Sequence, residues 1–394
     1  MSGPDRKEPD SQYSWLVAVV GAVAMVFTFG TPVSYGIFLT PFSDTFGVAP
    51  LALSGVFAAM VFTFFIGSGL VGVFGVRLPV RGVLLTCGVV TGAIAPSLYV
   101  VSSVFGLLVV FALLGLALGT VFVMLASVIP RWFDRRRGAA TGLIFAGNGL
   151  GLFLLPPAWQ RAFVASGVRS AFLGIMGITA VSFLLAGLVC RRPRWADAST
   201  ATTAELLEWL SGLSHTRAFR LLVVGIALSF AWYQLLAAYA VEFFITRGLT
   251  ESGASTLFGL IGGFSIISRL GGGYLSDRLG PRTAFLGSLG CVALGIGLFL
   301  IPIRPVLVLA VFLIGLGLGG TATIYLPLLM SVFSPEKDTA VVGVFNIAGG
   351  TAALLMPPLG TAVVTFTESY TPVLVLTLGL TLAGIWTVAA GTSG

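Results

Sequence analysis

The sequence predicts an all-α polytopic membrane protein with twelve spanning helices in two pseudo-symmetric six-helix bundles. Three observations carry that reading. Of 394 residues, 57% are hydrophobic and only 9% charged, with a mean hydropathy of +1.05; a soluble domain has about 25% charged residues. Apolar runs of 18 or more residues recur along the whole chain, as membrane-spanning helices require. Self-comparison, finally, aligns the two halves of the chain at a nearly constant offset of 201 residues. A membrane β-barrel would instead show alternation over about ten residues, which is not seen.

The spans fall at 14–39, 51–75, 82–101, 104–129, 138–160 and 169–190 in the first half. In the second they fall at 219–246, 252–275, 284–302, 305–333, 340–366 and 371–390. This divides the chain into a tail (1–13), a first bundle (14–190), a linker (191–218), a second bundle (219–390) and a short end (391–394). The polar Met1–Ser14 stretch runs into an apolar segment of about 24 residues, too long for the core of a cleaved signal peptide. With the N-terminus inside, sixteen of the 21 Lys and Arg fall on the cytoplasmic side. Four (Arg161, Arg169, Arg247 and Arg304) fall outside, and Arg269 stays in the membrane. The positive-inside bias therefore places both termini in the cytoplasm, in a multi-pass inner (plasma) membrane protein. Net charge +7 sits in inter-helix loops, so it does not point to nucleic acid.

Within the linker, TTAELLEWLSGL carries a Thr202-x-x-Glu205 capping box, and Leu206, Leu207, Trp209, Leu210 and Leu213 share one face. A short helix lying on the membrane surface is expected. The single histidine, His215, reads as a solvated loop residue, and Cys87, Cys190 and Cys291 as small core residues.

The repeat supplies the functional geometry. GVFGVRLPVR at 72–81 aligns with GYLSDRLGPR at 273–282, and GLIFAGNGLGLFLLPP at 142–157 with GVFNIAGGTAALLMPP at 343–358. Gly47-Val48 aligns with Gly248-Leu249. Carriers built from such repeats bind substrate between the halves, near the midplane. GYLSDRLGPR matches the G-x-L-x-D-R-x-G-x-R loop of the major facilitator superfamily, which the chain resembles. That resemblance implies a conformational latch at Asp277, Arg278 and Arg282. The first-half copy keeps Arg77 and Arg81, but Val76 stands where the acid belongs and Pro79 replaces the glycine.

No phosphate-binding G-x-x-x-x-G-K-[ST] motif, metal cluster or nucleophile–base pair is present, so neither ATP use nor enzymatic chemistry is expected, and no cofactor or metal. Transport driven by a gradient is the default. Arg269 lies eight residues before Asp277, about 12 Å inside span eight at ~1.5 Å per residue. An arginine at that depth costs about 2.5–3.5 kcal/mol and should face the bundle interior. No span holds a mid-depth Asp or Glu; Glu242 lies at the outer end of span seven, beside Arg247. A structural arginine held by carbonyls is one reading. The favoured one is that the missing anion arrives as substrate, since guanidinium grips carboxylate bidentately. By repeat position and depth, Tyr35, Phe145, Asn148, Tyr233, Gln234, Tyr325, Phe345 and Asn346 are expected to approach the same cavity.

Four stretches resemble the monocarboxylate transporter family and its bacterial relatives, which include oxalate:formate exchangers. They are TPVSYGIFLTPFSDTFG (31–47), RWFDRRRGAATGLIFAGNGLG (131–151), SRLGGGYLSDRLG (268–280) and PPLG (357–360). The resemblance implies that Arg269 pairs with the substrate carboxylate. Where many members carry an Asp four residues earlier, this chain has Ser265; where several carry a lysine in span one, it has Val33. Oxalate exchangers add a lysine in span eleven, whereas here the nearest polar group is Asn346. One fixed charge matches one carboxylate. The expected function is proton-coupled transport of a lactate- or pyruvate-like acid, or a larger apolar monocarboxylate, by alternating access. Oxalate:formate-type exchange and efflux of amphipathic drugs are the alternatives. The expected partners are the carboxylate, protons and the lipid bilayer, with a monomer sufficient and no nucleic acid.

Overall fold

The computed structural model describes residues 9–74, 78–193, 208, 211–301, 303–333 and 338–393, and among these every regular element is helical. The first half comprises α1 (Gln12–Val33), α2 (Tyr35–Phe46), α3 (Pro50–Phe74), α4 (Val80–Ile94), α5 (Val104–Val128) and α6 (Arg137–Val189). The second comprises α7 (Arg217–Thr246), α8 (Glu251–Leu279), α9 (Pro281–Phe299), α10 (Arg304–Val332), α11 (Asp338–Thr367) and α12 (Thr371–Gly391). Among the described residues, eleven helices are long and apolar enough to cross a membrane. One of them, Ala139–Val189, has 51 residues, far more than a single crossing. Gly167 breaks it at φ +74, a conformation open to glycine, so α6 supplies two spans. The architecture is thus twelve spans in two six-helix bundles.

Span one departs from the expected uninterrupted helix. Pro32 lacks an amide hydrogen, so the backbone ladder weakens there, and the chain breaks at Ser34 between α1 and α2. The Ser34 hydroxyl donates to the Gly30 carbonyl (2.7 Å), taking over one acceptor left by the break. Helix α2 closes on Gly47, at φ +65. The linker helix expected around 202–213 falls mostly outside the described residues, as does Arg77.

The halves meet along two seams, α3 against α11 and the first part of α6 against α8. The second seam is tight because both helices present glycine. A Cβ on Gly262 would stand 2.5 Å from Leu152 Cβ, and one on Gly149 would stand 2.6 Å from Ile266 Cγ1. On the face opposite the chain termini the halves are closed on each other. There the Tyr35 hydroxyl donates to the Gln234 carbonyl, Gly36 lies against the Ala237 and Ala238 carbonyls, and Gln160 Nε2 donates to Glu251 Oε2 at 2.9 Å.

Candidate binding site

A cavity of about 480 Å³ lies between the halves. Its wall runs from Arg269 and Tyr233 to Pro130, Arg131 and Arg192, at the ends of spans four and six. It therefore reaches the face that carries the termini, while the opposite face is sealed.

Arg269 is 4% exposed. Its Nε donates to Ser265 Oγ, one helical turn earlier, at 3.3 Å; that hydroxyl itself donates to the Gly262 carbonyl at 2.7 Å. Ser265 thus steadies the arginine without neutralising it. Tyr233 is close enough to interact with it electrostatically. Among the described residues no carboxylate pairs with Arg269, so its remaining donors face the cavity without an anion. Three other buried polar atoms belong to wall residues and find no partner among the described residues: Tyr233 Oη, Asn148 Oδ1 and Trp232 Nε1. Each such orphan costs about 1–3 kcal/mol unless a ligand or water satisfies it.

The structure brings Arg269, Phe145, Asn148, Tyr233, Gln234, Tyr325 and Asn346 to one cavity. The Tyr325 hydroxyl sits 3.5 Å from Asn346 Oδ1. Two expected lining residues are elsewhere. Tyr35 is the first residue after the span-one break, and its hydroxyl is spent on the seal with Gln234. Phe345 precedes Asn346 by one residue, about 100° around the helix, and packs between Phe219 and Phe333 with ring centroids 5.8 and 6.0 Å away. The Arg247 guanidinium lies 4.9 Å over the Phe243 ring, and Glu242 faces Thr40 of α2.

Of the expected latch residues, Asp277, Arg278 and Arg282 fall around the junction of α8 and α9, and Arg81 at the start of α4. Asp277 lies within α8. Arg278 stacks 4.5 Å over the Tyr274 ring. Arg282 donates from Nε to Thr392 Oγ1 (2.9 Å) and from Nη2 to the Ala389 carbonyl (3.2 Å), fastening α9 to the end of α12. Arg81 lies with Arg191 and Arg192 around a hollow at the start of α4.

The sequence points to an apolar, aromatic cavity around Arg269 but names only Phe145 and Phe345 among its phenylalanines. Phe29, Phe64, Phe122, Phe230 and Trp232 line the cavity beside Phe145. In a sequence this apolar, nothing separates a ring facing lipid from one facing a cavity. Periodicity of small residues on the partner helices is the one signal that could have found them.

Residues 16–357 match the Major Facilitator Superfamily. The chain is 25% identical to monocarboxylate transporter 2 of Mesocricetus auratus, over 92% of this chain and 80% of that one. It is 29% identical to monocarboxylate transporter 11 of Homo sapiens, over 95% of this chain and 82% of that one. Among solved structures, the crystal structure of a mutant nucleoside transporter, NupG, superposes with a TM-score of 0.77, at 12% identity over 97% of this chain and 100% of the other; that likeness concerns the fold. Twelve spans in two bundles around a central cavity, and a family match over most of the length, lead to one conclusion: the chain is a transporter of the major facilitator superfamily, homologous to monocarboxylate transporters.

Proposed function

We propose that this transporter carries small monocarboxylate anions by alternating access, coupled to protons, with Arg269 holding the substrate carboxylate. The observation that carries the proposal is a buried guanidinium on the cavity wall whose one protein hydrogen bond, among the described residues, is to a serine. A carboxylate would restore the lost solvation through two parallel charge-assisted bonds. The Tyr233 hydroxyl, near the same cation and without a partner, would add a third donor. The homology to monocarboxylate transporters supports the same reading. Among the described residues Arg269 is the single buried cation, which favours a monoanion over an oxalate-like dianion. With the termini in the cytoplasm, as the charge bias requires, the cavity opens inward. Arg278 and Arg282 engaged on Tyr274, Thr392 and Ala389 then fit a released inner latch.

Purified protein in proteoliposomes tests this directly. Labelled pyruvate or lactate should enter down its gradient, faster with an inward proton gradient. Arg269→Ala should insert normally and lose the flux. Wild-type flux in that variant would sink the assignment, and oxalate/formate counterflow equal to the monocarboxylate flux would shift it to an exchanger.

A further inference from the structure

The cavity wall is chemically divided. Its buried cation comes from the C-terminal half, together with Tyr233, Gln234, Tyr325 and Asn346, whereas Arg131 and Arg192 stand toward its mouth. The N-terminal half supplies a continuous set of rings. Phe29 and Phe64 lie with centroids 6.2 Å apart, Phe64 and Phe122 at 5.5 Å, and Phe122 and Phe145 at 6.3 Å. The set reaches across the interface, because Phe29 stacks on Tyr233 at 5.9 Å with planes 10° apart. One side of the Tyr233 ring therefore belongs to the aromatic wall, while its hydroxyl belongs to the neighbourhood of Arg269.

We propose, building on the assignment of Arg269 to the carboxylate, that the preferred cargo is an amphipathic monocarboxylate. Its body would be an aryl ring or a medium-length alkyl chain lying against Phe29, Phe64, Phe122 and Phe145. A three-carbon acid has the bulk of about three to four waters of ~30 Å³ each. In a cavity of about 480 Å³ it leaves the rings in contact with water. Wetting that much apolar surface is unfavourable, and a longer acid removes it. Closure of the cavity changes its volume but not the chemistry of its walls, so the preference persists around the transport cycle. Each methylene transferred from water to such a wall strengthens binding about fourfold.

The test is a homologous series, propionate, butyrate, hexanoate and 3-phenylpropionate, competing against labelled pyruvate in counterflow. Direct binding to detergent-solubilised full-length protein is measured alongside by calorimetry. Hexanoate and 3-phenylpropionate should bind at least ~10-fold tighter than propionate, and Arg269→Ala should lose all four. Phe122→Ala, which removes the ring touching Phe29, Phe64 and Phe145, should compress the hexanoate-to-propionate ratio at least ~5-fold. Phe122→Leu, which keeps more bulk, should compress it less; if the alanine variant does not fold, the leucine variant reads the same ratio. A flat series that still requires Arg269 overturns the apolar-body inference and leaves the carboxylate assignment standing. Failure of every acid to bind overturns both. Equal binding of hexanamide and hexanoate overturns both in favour of a carrier of uncharged amphiphiles.

Discussion

At positions related by the 201-residue offset, the two halves of the molecule keep one cavity-facing ring, Phe29 and Phe230, and differ at four other pairs that face the cavity. Arg269 answers to Ser68, Tyr233 to Pro32, Gln234 to Val33 and Asn346 to Phe145, and all eight line the cavity. The scaffolding was kept. Gly47 and Gly248 both end a helix with positive φ (65 and 84), and positive φ recurs at Gly167 and Glu368 (74 and 51). Positive φ thus recurs at matching turns in the two halves, while four of the cavity-facing pairs carry different side chains. The Pro32–Tyr233 difference also explains why span one is broken at Ser34 whereas α7 runs unbroken from Arg217 to Thr246. Among the described wall residues the buried cation, Arg269, belongs to the C-terminal half.

Moving the charge across the seam would break this comparison most severely. Arg269→Ser should lower pyruvate flux by at least ~100-fold, the loss expected when about 3 kcal/mol of charge-assisted hydrogen bonding disappears. Adding Ser68→Arg to it should not rescue the flux, because the Ser68 side is walled by Phe64, Phe65 and Val71 and lacks a counterpart of Tyr233. Restored flux in the double variant would show the halves to be chemically interchangeable. The next effect concerns the sealed face. A Cβ on Gly36 would overlap the Ala237 carbonyl oxygen, so Gly36→Val should hold the halves apart there. Overpacking of ~1–3 kcal/mol shifts a two-state equilibrium by about fivefold or more. The readout is labelling of an engineered Gln160→Cys by an impermeant maleimide, which should rise by that factor; unchanged labelling would mean that the seal does not depend on this contact.

The turns allow a smaller comparison between the halves. Glu368 occupies the left-handed region at φ 51, which costs a non-glycine residue about 1 kcal/mol. Glu368→Gly should therefore raise the melting temperature slightly in detergent. Gly167→Ala, at φ 74 and ψ 168, should lower it by the equivalent of ~1–3 kcal/mol. Equal and opposite insensitivity at both sites would mean that these turns carry no strain.

The spans and the repeat were legible because a bilayer crossing demands about twenty apolar residues and nothing else in the chain imitates that. Arg269 was legible because an ion at that depth is expensive. The orientation of residues around each helix was much less so. In a soluble helix polar residues mark the outer face, but here both the lipid-facing and the cavity-facing surfaces are apolar. Phe345 and Asn346 consequently looked like neighbours on one wall, and Phe29, Phe64 and Phe122 looked like any other phenylalanine. Ser265 read as the absence of an acid; in the structure it is also the residue that steadies the arginine. The fate of Tyr35 depended on a helix break for which Pro32 was the one local sign.

The smallest predicted effect lies at the terminal face of the N-terminal half. Asp10 accepts three consecutive backbone amides, from Asp134 (3.1 Å), Arg135 (3.0 Å) and Arg136 (3.2 Å), while its own amide donates to the Trp132 carbonyl (3.1 Å). Tyr13 extends the tie: its ring meets Trp132 edge-on at 5.2 Å and its hydroxyl donates to the Val189 carbonyl. The offset places Ser211 opposite Asp10, so the C-terminal half has no carboxylate there. The Arg135 amide above all, then those of Asp134 and Arg136, hold the Asp10 carboxyl below its ordinary value of 3.8. A carboxylate with a depressed folded-state value stabilises fully above the unfolded value and loses that contribution as the pH falls through the lower folded value. Amide exchange at 134–136 should therefore be insensitive to pH-dependent undocking at neutral pH and begin to lose protection only below pH 3.8. Asp10→Asn should reduce that protection above pH 3.8, with the difference from wild type closing as the pH falls and Asp10 itself becomes neutral, while leaving pyruvate flux within about twofold, since an exposed, solvent-screened contact contributes little to global stability. Full protection in Asp10→Asn would mean that Trp132 and Tyr13, rather than the carboxylate, hold the loop.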